Sequence, residues 1–122
     1  MIAYLIDPKA KTMTQVDYSG DLHHMYDLIG CGAVDAVEIN QQGDTLWVDD
    51  EGLFVPREEL HLFRMQGAAA ATHRALAGRA LLTGCDAEGD TCAPHYAQHE
   101  YFDALYFQLQ QGAMFYVKAQ RQ

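Results

Sequence analysis

The apolar residues of this chain come in short runs, each closed by a turn signal, and the runs switch between a period of two and a period of 3.6. That pattern predicts short strands with few helices between them. Ile2, Tyr4 and Ile6 alternate with Ala3 and Leu5. Asp7-Pro8 then opens a turn, because Pro8 fixes its own φ and disfavours helix at Asp7. Thr14, Val16 and Tyr18 alternate with Met13, Gln15 and Asp17, so residues 2–18 read as a hairpin. A second hairpin is expected over 34–49. Val34 to Ile39 is its first strand, Asn40 to Asp44 its five-residue turn, and Thr45 to Asp49, with the single tryptophan Trp47, its second strand. Leu53, Phe54 and Val55 are closed by Pro56, and Leu60 to Met65 is a further strand candidate.

Helical period is cleanest between the two hairpins. Leu22, Met25, Tyr26 and Ile29 fall at i, i+3, i+4 and i+7; Ser19 or Asp21 can cap the start, and Gly30 and Gly32 end the segment. Residues 67–78 hold an Ala-rich run, read as short helical or irregular structure, and Arg79 to Thr83 reads as a strand. From Pro94 a second helix is expected, with Phe102, Leu105, Tyr106 and Leu109 as its stripe and Gly112 as its end. These elements predict one α+β domain over 1–122. It would have a small, mostly antiparallel sheet of about five or six strands, with two main helices packed on it. Residues 1–90 would form an acidic core and 91–122 an aromatic-rich helical segment.

A chain of 122 residues is one domain's worth and can bury a core without metal or disulfide. Its formal charge is −9. The first 60 residues hold twelve acids and three bases, whereas the remainder is balanced. The eight Lys and Arg residues are scattered, which excludes direct nucleic-acid binding through neutralised phosphates. No apolar run approaches the roughly 20 residues needed to span a bilayer, and the start MIAYLIDPKAK has no signal-peptide pattern. Three cysteines, an odd number, argue against a secreted disulfide framework. The expectation is a cytoplasmic protein without membrane association.

Four groups of residues could carry function. Asp49, Asp50, Glu51, Glu58 and Glu59 form the densest acid cluster. Charged turns protect strand edges, but such a cluster also suits docking to a protein with a basic surface. Cys85, Cys92, His95 and His99 offer thiolate and imidazole ligands of the kind zinc takes, although six residues separate the two cysteines where structural sites have two to four. Zinc is the only cofactor the sequence suggests. The ordinary account is a loop cysteine, a cysteine at a helix start and two surface histidines. Asp86, Glu88 and Asp90 alternate as in a calcium loop, but Thr91 and Ala97 stand where that loop needs Gly and Glu, so they read as a solvated turn. His23 and His24 lie one helical turn from Asp27, a spacing that can orient a general base for a hydrolase and also fits an exposed helix pair. No nucleophile or phosphate-loop motif accompanies them. Finally, Tyr101 and Phe107 lie off the C-terminal stripe. With Phe115 and Tyr116 they form a candidate homodimer surface.

The segments MYDLIGC, VDAVEIN and DTLWVDDEGLF, followed by AGRALLTG at 77–84, resemble an uncharacterised family of short acidic proteins frequent in phages, plasmids and bacterial genomes. The resemblance covers roughly residues 1–90 and rests on a Y-x-L-I segment, a hydrophobic strand and a VDDEGL turn. It brings no activity and no catalytic residue. It implies a setting in which small acidic proteins bind and block host proteins. The function expected from sequence is therefore a non-catalytic, protein-binding accessory protein whose partner is basic, for example a nucleic-acid-handling host factor. A zinc-binding module and a His/Asp hydrolase are the alternatives.

Overall fold

The computed structural model describes residues 1–109 and 115–120. Among them are ten strands in two antiparallel sheets and two short helices. Strands β1 (Ile2–Asp7), β2 (Thr12–Asp17), β3 (Val34–Glu38), β4 (Thr45–Asp49), β7 (Ala80–Cys85) and β8 (Thr91–Cys92) make the larger sheet. Its main order is β2-β1-β7-β4-β3, with β8 paired to the end of β7. Strands β5 (Leu62–Met65), β6 (Leu76–Ala77), β9 (Leu105–Gln108) and β10 (Tyr116–Lys118) make the smaller sheet, in the order β10-β9-β5-β6.

Both expected hairpins form, in the registers Ile2↔Asp17 and Val34↔Asp49. The turn of the first is held by Asp7, whose Oδ1 accepts from the backbone N–H groups of Lys9 (3.0 Å) and Ala10 (3.2 Å). Between the hairpins, helix α1 (Leu22–Ile29) starts at Asp21, which accepts from His23 N at 2.9 Å. It ends at Gly30, whose φ of +82° a residue with a Cβ rarely adopts.

Strand β7 explains how the layers meet. It lies between β1 and β4, and its run Ala80-Leu81-Leu82 is fully buried because both faces are covered. Cross-strand partners share a face. Tyr4, Ile6, Leu46, Val48, Ala80 and Leu82 therefore point one way, into a core shared with Phe63, Met65, Leu76, Leu105 and Phe107 of the smaller sheet. Ala3, Leu81 and the half-buried Leu5 and Trp47 point the other way, into a second cluster with Met25 and Ile29 of α1. The Trp47 indole donates to Thr83 Oγ1 at 2.9 Å. Each large side chain buried this way contributes about 1.5–3 kcal/mol.

The mixed α+β character stands, but several expectations need correction. There are two sheets rather than one of five or six strands. The C-terminal helix is only α2 (Gln98–Asp103), and Leu105–Gln108 is strand. Leu105 and Phe107 are two apart and face Met65 and Phe63 across the sheet, and this pairing overrides a helical stripe that shares Leu105. Gly112, the expected end of that helix, lies outside the described residues. The Ala-rich run takes the irregular of its two expected forms: Ala71 bridges Gln66, while Ala69 and Ala70 are buried in the core. Of the α1 stripe only Met25 and Ile29 are buried, and Leu22 is exposed. No helix among the described residues is long and apolar enough to cross a membrane.

Candidate functional site

The first-half acids divide by role. Asp7 and Asp21 hold a turn and a helix start, Asp17 pairs with the N-terminal ammonium at 3.1 Å, and Asp44 is buried. Asp35, Glu38, Asp49, Asp50, Glu51, Glu58 and Glu59 all belong to β3, the end of β4 and the loop that follows. Asp35, Asp49 and Asp50 line one cleft of about 230 Å3 together with Val48, Leu53 and Phe54, and Arg74 also reaches its wall. Among the described residues, no base forms an ion pair with Asp35, Glu38, Asp49, Asp50, Glu51 or Glu59.

Apolar residues stand in the middle of this acidic surface. Two single turns of 3₁₀ helix, Gly52–Phe54 and Arg57–Glu59, shape the loop. Gly52 passes so close to β6 that a Cβ there would stand 3.0 Å from the Ala77 carbonyl oxygen. The loop is thus anchored at its base while Leu53 (56% exposed), Phe54 (85%) and Val55 (37%) face outward. Asp49 Oδ1 accepts from Glu51 N at 2.9 Å and shapes the turn leading into it. The sequence identified these acids but not the apolar tip, since Leu53-Phe54-Val55 resembles a core strand.

A second constellation was not anticipated. Asp44 is 0% exposed, and its carboxylate gathers donors from its own turn and from the distant segment 95–101. His95 Nδ1 lies 2.6 Å from Oδ1, Asn40 Nδ2 donates to Oδ2 at 2.8 Å, the Tyr101 hydroxyl donates to Oδ2, and His95 N donates at 3.2 Å. A carboxylate only accepts, so Nδ1 carries the shared hydrogen. Tyr101 in turn accepts from Tyr96 N at 3.1 Å. Burial raises the Asp44 pKa, but the hydrogen bonds from His95, Tyr101 and Asn40 together outweigh it and hold the carboxyl below its ordinary range. Burial, reinforced by the Asp44 charge, pushes the Tyr101 phenol far above its ordinary value.

The Asp44–His95 pairing has the form that orients a general base. No hydroxyl or thiol bonds the His95 ring among the described residues, however, and the Asp44 contacts to His95 and Tyr101 join the 40–44 turn to residues 95–101. Its role is to fasten the C-terminal segment to the sheet. A pH dependence follows. A folded-state pKa below the unfolded one means that the unfolded chain binds more protons, so stability rises with pH. The contribution of Asp44 is full above its unfolded pKa of about 3.9 and is lost as pH falls through the lower folded value. Urea midpoints measured from neutral pH downward should fall less steeply for Asp44→Asn than for the wild type. Parallel curves would remove Asp44 as the cause.

The remaining sequence candidates are placed as follows. His24 Nδ1 faces Ser19 Oγ at 3.0 Å, and His23 stands edge-on to Tyr26, so neither ring is turned to Asp27. His95 is committed to Asp44, whereas His99 lines a groove of about 590 Å3 with Lys11, Met13 and Phe102. The Cys85 and Cys92 thiols face the carbonyls of Asp86 and Ala93. Among the described residues, no three His, Cys, Asp or Glu side chains converge to hold a metal ion. Tyr101 and Phe107, expected at an exposed dimer surface, are buried. Tyr101 lies between the Tyr4 and Tyr96 rings, and Phe107 faces Phe63 across the sheet. Phe115 is exposed and Tyr116 half-buried beside it.

No curated protein and no solved structure matches the chain. Over residues 1–106, beyond the span of the resemblance and through Tyr101, it matches a domain of unknown function, DUF3846, and the chain belongs to that family.

Proposed function

We propose that the protein works by contact, docking a partner protein with a basic surface through β3, the end of β4 and the loop 49–60. The observation that carries this reading is the exposed Leu53-Phe54-Val55 tip beside Asp49, Asp50, Glu51 and Glu59, with which no base among the described residues forms an ion pair. Exposed aromatics set in a charged rim mark interaction surfaces, with the apolar centre supplying affinity and the rim supplying attraction at a distance. Nucleic acid would be repelled by the same potential. The mobile-element setting implied by the family resemblance, in which small acidic proteins block host factors, is part of this proposal.

The test is affinity capture from a host lysate with three baits: the wild type, Phe54→Ala, and the triple variant Asp49→Asn, Asp50→Asn, Glu51→Gln. Both variants change only exposed or half-exposed residues, so the fold should survive. The partner recovered by the wild type should dissociate about 10–100-fold faster from Phe54→Ala, as loss of a central aromatic anchor implies. It should associate roughly tenfold more slowly with the triple variant, and the difference should vanish in high salt. A capture indifferent to both variants and to salt would overturn the reading.

A further inference from the structure

We infer that β3 is an open pairing edge, and that the partner adds an extended, basic strand to it. This rests on the docking reading above and specifies how the contact is made. The larger sheet ends at β3, with no further strand beside it among the described residues. Hydrogen bonds in an antiparallel pair alternate along each strand. Ile39 N donates to Asp44 O at 2.9 Å, and Ala33 O accepts from Asp50 N at 3.0 Å. Residues 33, 35, 37 and 39 therefore spend their backbone groups on β4, whereas Val34, Ala36 and Glu38 turn theirs outward.

The outward groups show what an edge without a neighbour does. Ala36 N donates to the carboxylate of its own neighbour, Asp35 Oδ1, at 2.9 Å. This covers the edge with a group that an arriving strand can displace. The opposite edge is closed differently: the outward Met13 carbonyl accepts from Gln98 Nε2 of α2 at 2.8 Å, a contact 85 residues away in sequence. The β3 edge is instead guarded by a local, solvent-facing carboxylate.

Charge and shape define the guest. The register Asp35↔Val48 places Asp35 on the face that bears the acidic cleft, and Asp35 lines that cleft with Asp49, Asp50, Leu53 and Phe54. A guest residue opposite Asp35 therefore projects over the cleft, where a Lys or Arg would meet the carboxylates of Asp35 and Asp50 across from Arg74. On the other face, a base opposite Glu38 would complete a second pair. Strand addition of this kind draws its affinity from main-chain bonds and its selectivity from alternate side chains. A second copy of this chain is a poor guest, because each copy carries a charge of −9.

The probe is a ten-residue synthetic peptide of alternating Arg and Val, titrated into 15N-labelled protein at low salt. Backbone amides of Ala36 and Glu38 should exchange with solvent at least about tenfold more slowly in the complex, with no comparable change at Asp35 and Val37. The same peptide N-methylated at alternate residues should bind roughly three- to tenfold more weakly for each inter-strand bond removed, with the protein itself unaltered. If the peptide shifts the 49–59 resonances without protecting Ala36 and Glu38, strand addition is wrong and surface docking survives. If it shifts neither region, the basic-strand assignment falls together with its charge argument. Self-association through β3 in the absence of peptide would overturn the choice of guest.

Discussion

Replacing Asp44 by Ala should cost about 3–5 kcal/mol of stability, the range for leaving the partners of a buried charge unsatisfied. The carboxylate reaches His95, Tyr101 and Asn40 together. Its loss does not affect the three equally. Asn40 Nδ2 keeps the Ala69 carbonyl at 3.0 Å, and the half-exposed His95 can turn to water. The Tyr101 hydroxyl, fully buried, donates to no other acceptor among the described residues, and it also anchors Tyr96 N. The largest single share of the loss therefore falls on Tyr101, and Tyr101→Phe should reproduce about 1–2 kcal/mol of it. Asp44→Asn keeps one acceptor and should fall between the two. Urea unfolding at neutral pH measures all three. A cost for Asp44→Ala under about 1 kcal/mol would mean that water replaces the carboxylate without penalty, against the burial argument.

What could be read from the sequence, and what could not, follows from the range of the interactions. The two hairpins and α1 were legible because their signals are local: alternation, Asp7-Pro8, Asp21 before the helix and Gly30 after it. Strand β9 was misread because its identity is decided by Phe63 and Met65, some forty residues earlier, rather than by its own spacing. Asp44 was read as one more turn acid for the same reason. Its partners His95 and Tyr101 are 51 and 57 residues away, and nothing near Asp44 in the chain marks it as buried. The acidic docking residues were legible as charges, yet charge alone could not separate the structural carboxylates of Asp7, Asp21 and Asp44 from the displayed ones of Asp35, Asp49 and Asp50. The exposed tip was hidden by a different ambiguity. Three apolar residues before a proline look alike whether they close a core or face outward, and only the anchoring of Gly52 against β6 turns Phe54 to solvent.

Gly84→Ala should destabilise the protein by about 3 kcal/mol, the upper part of the range for inserting a carbon into a packed interior. Gly84 is buried near the end of β7 and has no left-handed φ, so the position does not need glycine for its backbone conformation. It needs the space. A Cβ there would overlap the Ala93 carbonyl oxygen, lie 2.9 Å from the Ala93 carbonyl carbon and stand 3.1 Å from the Cys92 thiol. Two of these neighbours are backbone and cannot rotate away, so β8 and the segment after it must shift. That segment leads directly to His95, whose N–H and ring both hold Asp44. The two large predictions are therefore coupled. Once Ala93 has been pushed outward, His95 is already drawn from the carboxylate, and removing Asp44 has less left to break. The double variant should lose at least about 1 kcal/mol less than the sum of the single losses, as for other residues sharing one network. Unfolding free energies for the two single variants and the double variant close the cycle. Strict additivity would show that the strain at β8 does not reach His95 and that Asp44 is held from the Tyr101 side alone.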